Sequence, residues 1–389
     1  MEDIISLDKQ YIAGTYGRFP LELVSGKGCL FYDAAGKEYI DMGTGIGVTA
    51  FGTGDEAWVQ AVTAQLQQLQ HTSNLYYTRP CVELAQLLCE KTGMAKVFFS
   101  NSGAEANECA IKVARKYSAE KKGADYYTIL TLENSFHGRT LTTLAATGQE
   151  HYHELFQPLT PGFIHVPAND VQALSAAVAE KKLAGIMLEC VQGEGGVIRL
   201  EDDFVQTAAR LAKEYDIPLL IDEVQTGNGR TGQLYAYMHY GICPDVVSTA
   251  KGLGGGLPIG ATLMSEKVQN VLQPGDHGST YGGNPVCCAG AVSVISRLDD
   301  AFLAEVREKS AYIFNELTGA PGVERVSGMG LMIGVKTVKK AADVVAACRE
   351  QGLLCLTAKD KVRLLPPLNI PMEQLQKAVA ILKGVIHVS

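Results

Sequence analysis

Short apolar runs recur along the middle of this chain, each leading into a small-residue turn or an amphipathic stretch of helical length. Residues 96–100, 126–132, 185–190, 218–222, 245–250 and 260–264 read as strands, and helices are expected over 104–118 and 204–215. A run that is apolar at nearly every position belongs to a strand covered on both faces. Such strands alternating with helices imply an α/β architecture, a mostly parallel central sheet with helices on both sides. After residue 284 the pattern changes. Helices at 285–298, 301–317 and 372–385 surround short strands near 331–335 and 362–365, which suggests a smaller α+β domain. Residues 1–45 carry turns and a hairpin-like Gly36-Lys37 and are expected to pack with it. The expected division is a large domain over 46–284 and a small one formed by 1–45 and 285–389.

A chain of 389 residues has room for two such domains. With 47% hydrophobic and 20% charged residues it is an ordinary globular sequence, so global disorder is excluded. The net charge of −8 comes with no basic run, which argues against a nucleic-acid or anionic-membrane partner. No apolar run approaches the roughly 18–20 residues of a membrane helix, and residues 1–10 lack the basic and apolar regions of a signal peptide. Ten cysteines occur without a C-x-x-C pair, and Cys287 and Cys288 are adjacent. That usage suits small buried hydrophobes in a reducing compartment, so the expected location is the cytoplasm.

Three segments carry chemistry. In Ser100-Asn101-Ser102-Gly103-Ala104-Glu105 a strand turns into a helix, whose free N–H groups can hold a phosphate; by itself the turn is equally an ordinary one capped by Ser102. In Leu220-Ile221-Asp222-Glu223-Val224-Gln225 an acid ends an apolar strand, where open α/β sheets bind ligands; a helix cap or a solvated strand end would look the same. In Thr249-Ala250-Lys251-Gly252 a lysine lies between an apolar strand and a glycine run, a position where desolvation makes the amine nucleophilic. A phosphate turn, an acid for a protonated ring nitrogen and a cleft lysine together meet the needs of pyridoxal 5'-phosphate. Arg139, in Ser135-Phe136-His137-Gly138-Arg139, could clamp a carboxylate, and Phe136 could stack on an aromatic ring. Arg363 lies in a short apolar strand. Taken singly, Arg139 could equally be a surface ion pair and Arg363 an edge-strand charge that discourages aggregation.

These residues carry a resemblance to the class III aminotransferases, pyridoxal-phosphate enzymes of fold type I, and within that class to the acetylornithine transaminase subfamily. It runs from about Tyr11 to Pro367 and is strongest over residues 101–108, 222–225, 248–258 and 278–285. The resemblance implies that Lys251 binds the cofactor covalently and moves the substrate proton. It places Asp222 on the ring nitrogen, Gln225 at the ring hydroxyl and Phe136 on the ring face. Glu223 and Val224, between Asp222 and Gln225, join the cofactor site. Ser102, Gly103 and Ala104 would hold the phosphate from one subunit and Thr280 from the other, making the active unit a homodimer. Arg139 and Ser279 would contact substrate, with Glu189 and Glu194 nearby. Arg139 would clamp the distal carboxylate and Arg363 the one beside the reacting amine, with Glu194 masking Arg363. The substrates implied are an amino donor and 2-oxoglutarate. Gly52-Thr53-Gly54-Asp55 departs from the Gly-His-x-His-Pro common among relatives, and Cys190 stands where they often carry proline.

Competing patterns are weaker. Residues 227–232 match G-x-G-x-x-G with Asp245 beyond, but Glu223 to Thr226 separate the first glycine from the strand. Gly45 to Ala50 is a similar decoy. His151, His153 and Glu154 cluster in what reads as a solvated surface loop rather than a metal site. A catalytically inactive binding protein of the same fold would be expected to have lost Lys251, Asp222 or Arg363, and all three are present.

Overall fold

The computed structural model describes residues 4–387. Its centre is a seven-stranded sheet in the order Lys96–Ser100, Gly260–Met264, Val246–Thr249, Leu219–Asp222, Leu183–Leu188, Thr128–Leu132, Phe163–Val166. Leu183–Leu188 and Leu219–Asp222 are buried at every position, as their unbroken apolar character requires. Gly260–Met264 alone runs against its neighbours. The segment joining it to Val246–Thr249 is shorter than the dozen or so residues of a parallel crossover, so the chain returns antiparallel.

Helix Gly103–Lys122 begins one residue before the expected start and runs on to Gly123, whose φ of 105° ends it. Helix Asp202–Glu214 buries Phe204, Val205, Ala208, Leu211 and Ala212, one face at helical spacing. Helices Glu56–Gln68 and Arg79–Thr92, which the apolar pattern does not announce, pack on Pro285–Ile295. The strand Phe163–Val166 and the helix Val171–Glu180 are likewise beyond the sequence expectation.

Two four-stranded sheets and a two-stranded one, Val191–Gln192 with Ile198–Arg199, lie outside the central one among the described residues. Leu23–Lys27, Leu30–Asp33 and Glu38–Asp41 form a meander, turned at Gly36 with φ of 80°, and Leu353–Leu354 adds to it in parallel. Val323–Met329, Met332–Thr337, Lys361–Leu364 and Leu356–Ala358 form the other four-stranded sheet. Lys361–Leu364 is an interior strand there and Arg363 is only 3% exposed, which overturns the edge-charge alternative. All ten cysteines are free thiols, and Cys287 and Cys288 are buried. Among the described residues no helix is long and apolar enough to cross a membrane.

Candidate active site

Where the strands of the central sheet end, a cavity of about 640 Å³ is lined by Ser102, Gly103, Ala104, Phe136, Arg139, Glu189, Asp222, Val224, Gln225 and Lys251. Residues roughly 150 positions apart thus meet in one place, at the carboxyl edge where α/β sheets bind ligands.

The phosphate turn is built by helix capping. Ser102 Oγ accepts from the Glu105 N–H at 3.2 Å, and Glu105 reaches back to the Asn101 N–H at 2.9 Å. Gly103 and Ala104 open the helix, so their N–H groups have no intrahelical acceptor and face the cavity as an anion site. A Cβ on Gly103 would come within 2.6 Å of Val224, so only glycine lets the turn sit this close. Ser102 is therefore a cap and a cavity residue together.

Asp222 is buried and held by three donors. Asn107 Nδ2 and His137 Nδ1 donate to its Oδ2 at 2.7 and 2.8 Å, and the Val224 N–H donates to Oδ1 at 3.0 Å. Ser248 Oγ in turn donates to Asn107 Oδ1 at 2.5 Å. A carboxylate has about four acceptor positions, which leaves one for a ring N–H in the cavity. The burial and the three bonds exclude the solvated strand end. Burial disfavours a charged His137, but its bond to Asp222 and the nearby Glu189 outweigh this, and its pKa lies above the ordinary histidine value.

Lys251 follows the strand Val246–Thr249 in a left-handed conformation, φ 46°. Burial lowers its amine below the ordinary lysine range; Arg363 adds to this, while Glu194, Asp222 and Glu189 oppose it. Glu189 is buried, accepts from the Phe136 N–H at 2.9 Å, and is pushed up to about 8, chiefly by burial. Phe136 lines the cavity. The exposed Arg139 stacks its guanidinium on Tyr152 at 4.1 Å and lies 5.6 Å from the Phe136 ring.

Beside Gln225 lies a part-buried ion pair, with Arg363 buried and Glu194 partly open to solvent. Arg363 Nη1 and Nη2 meet Glu194 Oε1 and Oε2 at 2.5 and 3.3 Å, and Nη1 also donates to Gln225 Oε1 at 3.1 Å. Gln225 Nε2 donates to Glu194 at 3.2 Å. Burial opposes ionisation of Glu194, but Arg363 outweighs it and the pKa falls below the ordinary glutamate value. The Arg363 Nε is left without a partner.

Glu223, Thr280 and Ser279 are not brought to this cavity, and Arg363 and Glu194 do not line it but lie behind Gln225, which does. Glu223 alternates to the opposite side of its strand end, where its carboxylate accepts from Thr226 Oγ1 at 2.5 Å and the Tyr237 N–H at 2.8 Å. Its assignment to the cofactor is corrected accordingly: it braces the segment behind Asp222. Thr280 is exposed and lines a separate cavity with residues 71–74 and 76–78. Ser279 Oγ accepts from Asn101 Nδ2 at 3.1 Å and the Gly282 N–H at 2.9 Å. Asn107, His137 and Tyr16 are site residues that the sequence motifs do not single out. Asn107 does lie on the helix opened by the phosphate turn, on the face that looks at the sheet, which is a usable signal.

The competing patterns dissolve. Residues 227–232 form turns rather than a helix start, and Arg230 is buried against the carbonyls of Leu331 and Pro366. His153, expected in a solvated loop, is buried, and its Nε2 donates to the Leu144 carbonyl at 2.9 Å.

The donor set fits pyridoxal phosphate in every part: N–H groups for the phosphate, a carboxylate for the ring nitrogen, an aromatic ring beside it and a lysine with a lowered pKa. Comparison with known proteins agrees. Residues 11–386 match the class-III aminotransferase family. The acetylornithine aminotransferase of Haemophilus ducreyi is 51% identical, covering 99% of this chain and 98% of that one. That of Caldanaerobacter subterraneus is 43% identical over 98% and 99%. Among solved structures, the ornithine aminotransferase of Toxoplasma gondii, whose active site holds partial pyridoxal phosphate, superimposes with a TM-score of 0.94 at 31% identity, covering 99% of this chain and 94% of that one. The N-acetylornithine aminotransferase of Stenotrophomonas maltophilia gives 0.85 at 34%, with 98% of each covered. Motifs, fold and cavity thus converge, and the chain belongs to the class III aminotransferases, a pyridoxal-phosphate-dependent family.

Proposed function

We propose that this enzyme transfers the distal amine of N2-acetyl-L-ornithine to 2-oxoglutarate, yielding N-acetyl-L-glutamate 5-semialdehyde and L-glutamate. The observation that supports this reading is an open arginine on the cavity wall together with a masked one behind Gln225, which itself lines the cavity. Acetylornithine reacts through its distal amine, so its carboxylate lies far from the chemistry. Glutamate reacts through its α-amine and has carboxylates both near and far. Arg139, exposed at the cavity wall, serves the distal carboxylate of both. Arg363 serves the near carboxylate of glutamate alone, and Glu194 neutralises it while acetylornithine is bound, because a buried cation facing a methylene would be costly. The high identity to acetylornithine aminotransferases supports the same donor.

When bound, pyridoxal phosphate supplies an electron-accepting ring that makes the proton beside the reacting amine acidic. Its phosphate would be held by the Gly103 and Ala104 N–H groups. Asp222, fixed by Asn107 and His137, would hold the ring nitrogen's proton, and Phe136 would cover the ring face. The Lys251 Nζ, its pKa lowered by burial, takes the substrate proton as base and returns it as acid. Thr280 and Ser279 lie outside their own chain's cavity, and we assign them to the neighbouring subunit's site in a homodimer. Ten free thiols suit the cytoplasm. The test is a half-reaction screen. Holoenzyme is mixed with acetylornithine, ornithine, succinylornithine or 4-aminobutyrate, and loss of the cofactor's visible band is followed. Acetylornithine should react with the highest kcat/KM; a clear preference for any of the others would overturn the reading.

A further inference from the structure

The only tryptophan in the sequence, Trp58, lies in helix Glu56–Gln68, far along the chain from every residue of the cavity's chemistry. Its indole Nε1 donates to the Gly254 carbonyl at 3.0 Å. That carbonyl belongs to the turn that follows Lys251. The Gly254 N–H donates to the Lys251 carbonyl at 3.1 Å, and the Gly255 N–H to that of Gly252 at 3.3 Å. Lys251 itself has a φ of 46°, a left-handed conformation in a residue that is not glycine. Such a backbone persists only where its surroundings over-determine it.

The support for the indole is also specific. Asp55 caps the helix by accepting from the Trp58 N–H at 3.0 Å. The same carboxylate takes both Nη atoms of Arg297, at 2.7 and 3.0 Å, and that guanidinium lies 3.8 Å from the Phe51 ring. Gly255 and Gly290 leave the room the indole needs, since a Cβ on either would come 2.8 or 2.9 Å from Nε1. A chain of fixed contacts therefore runs from Arg297 through Asp55 and Trp58 to Gly254 and the lysine turn.

We propose that Trp58 is a positioning residue for Lys251: its indole N–H, by holding the Gly254 carbonyl, keeps the turn that presents the Lys251 amine to the cavity. This rests on the reading of Lys251 as the proton-moving lysine. Two substitutions separate the hydrogen bond from packing. Trp58→Phe keeps an aromatic ring and removes the donor. Trp58→His places a ring N–H two bonds from Cγ, the position of the indole Nε1, and removes the bulk. Holoenzymes are compared for kcat and KM in both half-reactions, and for the pH midpoint of the cofactor's visible band, which reports the Lys251 environment directly. Trp58→Phe should lower kcat roughly two- to tenfold in both halves, the worth of one neutral hydrogen bond. KM should stay unchanged and the band midpoint should shift. Trp58→His, measured above about pH 7.5 where the ring is neutral, should restore both. Wild-type kcat and midpoint in Trp58→Phe would overturn the proposal, as would a folded Trp58→His no better than Trp58→Phe. If Trp58→Phe does not fold, Trp58→His decides alone by its kcat and midpoint. Lys251→Ala distinguishes the underlying reading: should it retain the wild-type band, that reading fails whatever Trp58 does.

Discussion

Arg363→Lys should damage one half of the reaction far more than the other. In the structure the guanidinium spends both Nη atoms on Glu194 and shares one with Gln225. On the proposed reading, that fork passes to the near carboxylate when glutamate or 2-oxoglutarate arrives. Lysine brings a single nitrogen and cannot reproduce it. The loss is one charge-assisted hydrogen bond, about 1.5–3 kcal/mol, or roughly 10- to 150-fold in rate. Glu194 keeps 28% of its side chain exposed, so solvent reaches one side of the pair and the lower part of that range, about 10- to 30-fold, is expected. The acetylornithine half has no near carboxylate and should fall less than about threefold. Single-turnover mixing of holoenzyme with each substrate, followed through the visible band, measures both rates on one preparation. Equal losses in the two halves would refute the two-clamp argument. The companion variant Glu194→Ala unmasks Arg363 and should shift preference toward the α-amino substrate.

Lys251→Ala should abolish turnover if, as proposed, it removes both the amine that binds the cofactor and the group that moves the proton; near-wild-type turnover would contradict the assignment. Asp222→Asn should keep the cofactor but lose most activity, and melting curves beside turnover show whether it acts in chemistry or only as a brace. Burial lifts Glu223 from 4.5 to about 7, so the folded state holds its proton more tightly than the unfolded one. The stability this contributes is complete below about pH 4.5 and is lost as pH rises through about 7, a change of a few kcal/mol. Glu223→Gln should flatten that decline, and urea midpoints at about pH 5 and 7.5 that fall as much in the variant as in wild type would contradict it. The active unit should sediment as a dimer at assay concentration, because Thr280 and Ser279 are assigned to the neighbour's cavity; a fully active monomer would exclude that.

Much of the architecture is local, and the amino-acid sequence alone determines it. Short apolar runs bounded by turns read as strands covered on both faces, and their turns into amphipathic stretches place the central sheet. Asp222 ends such a strand, Ser102-Gly103-Ala104 and Lys251 follow others, and the carboxyl edge of the sheet gathers them in one cavity. What depended on the folded chain is the direction of each side chain and the identity of distant partners. Glu223 looks like a neighbour of the cofactor because it adjoins Asp222, yet backbone alternation turns it toward Thr226 and Tyr237. Arg363 could have marked a strand edge. Strand order, which no single segment encodes, made Lys361–Leu364 interior and left the guanidinium to find Glu194, 169 residues away. The brace on Asp222 is likewise assembled from Asn107, His137 and Ser248, three residues on different elements. Apolar periodicity is written residue by residue along the chain. Hydrogen-bond partnership in a buried site depends on the packing of several elements at once, and only the tertiary structure settles it.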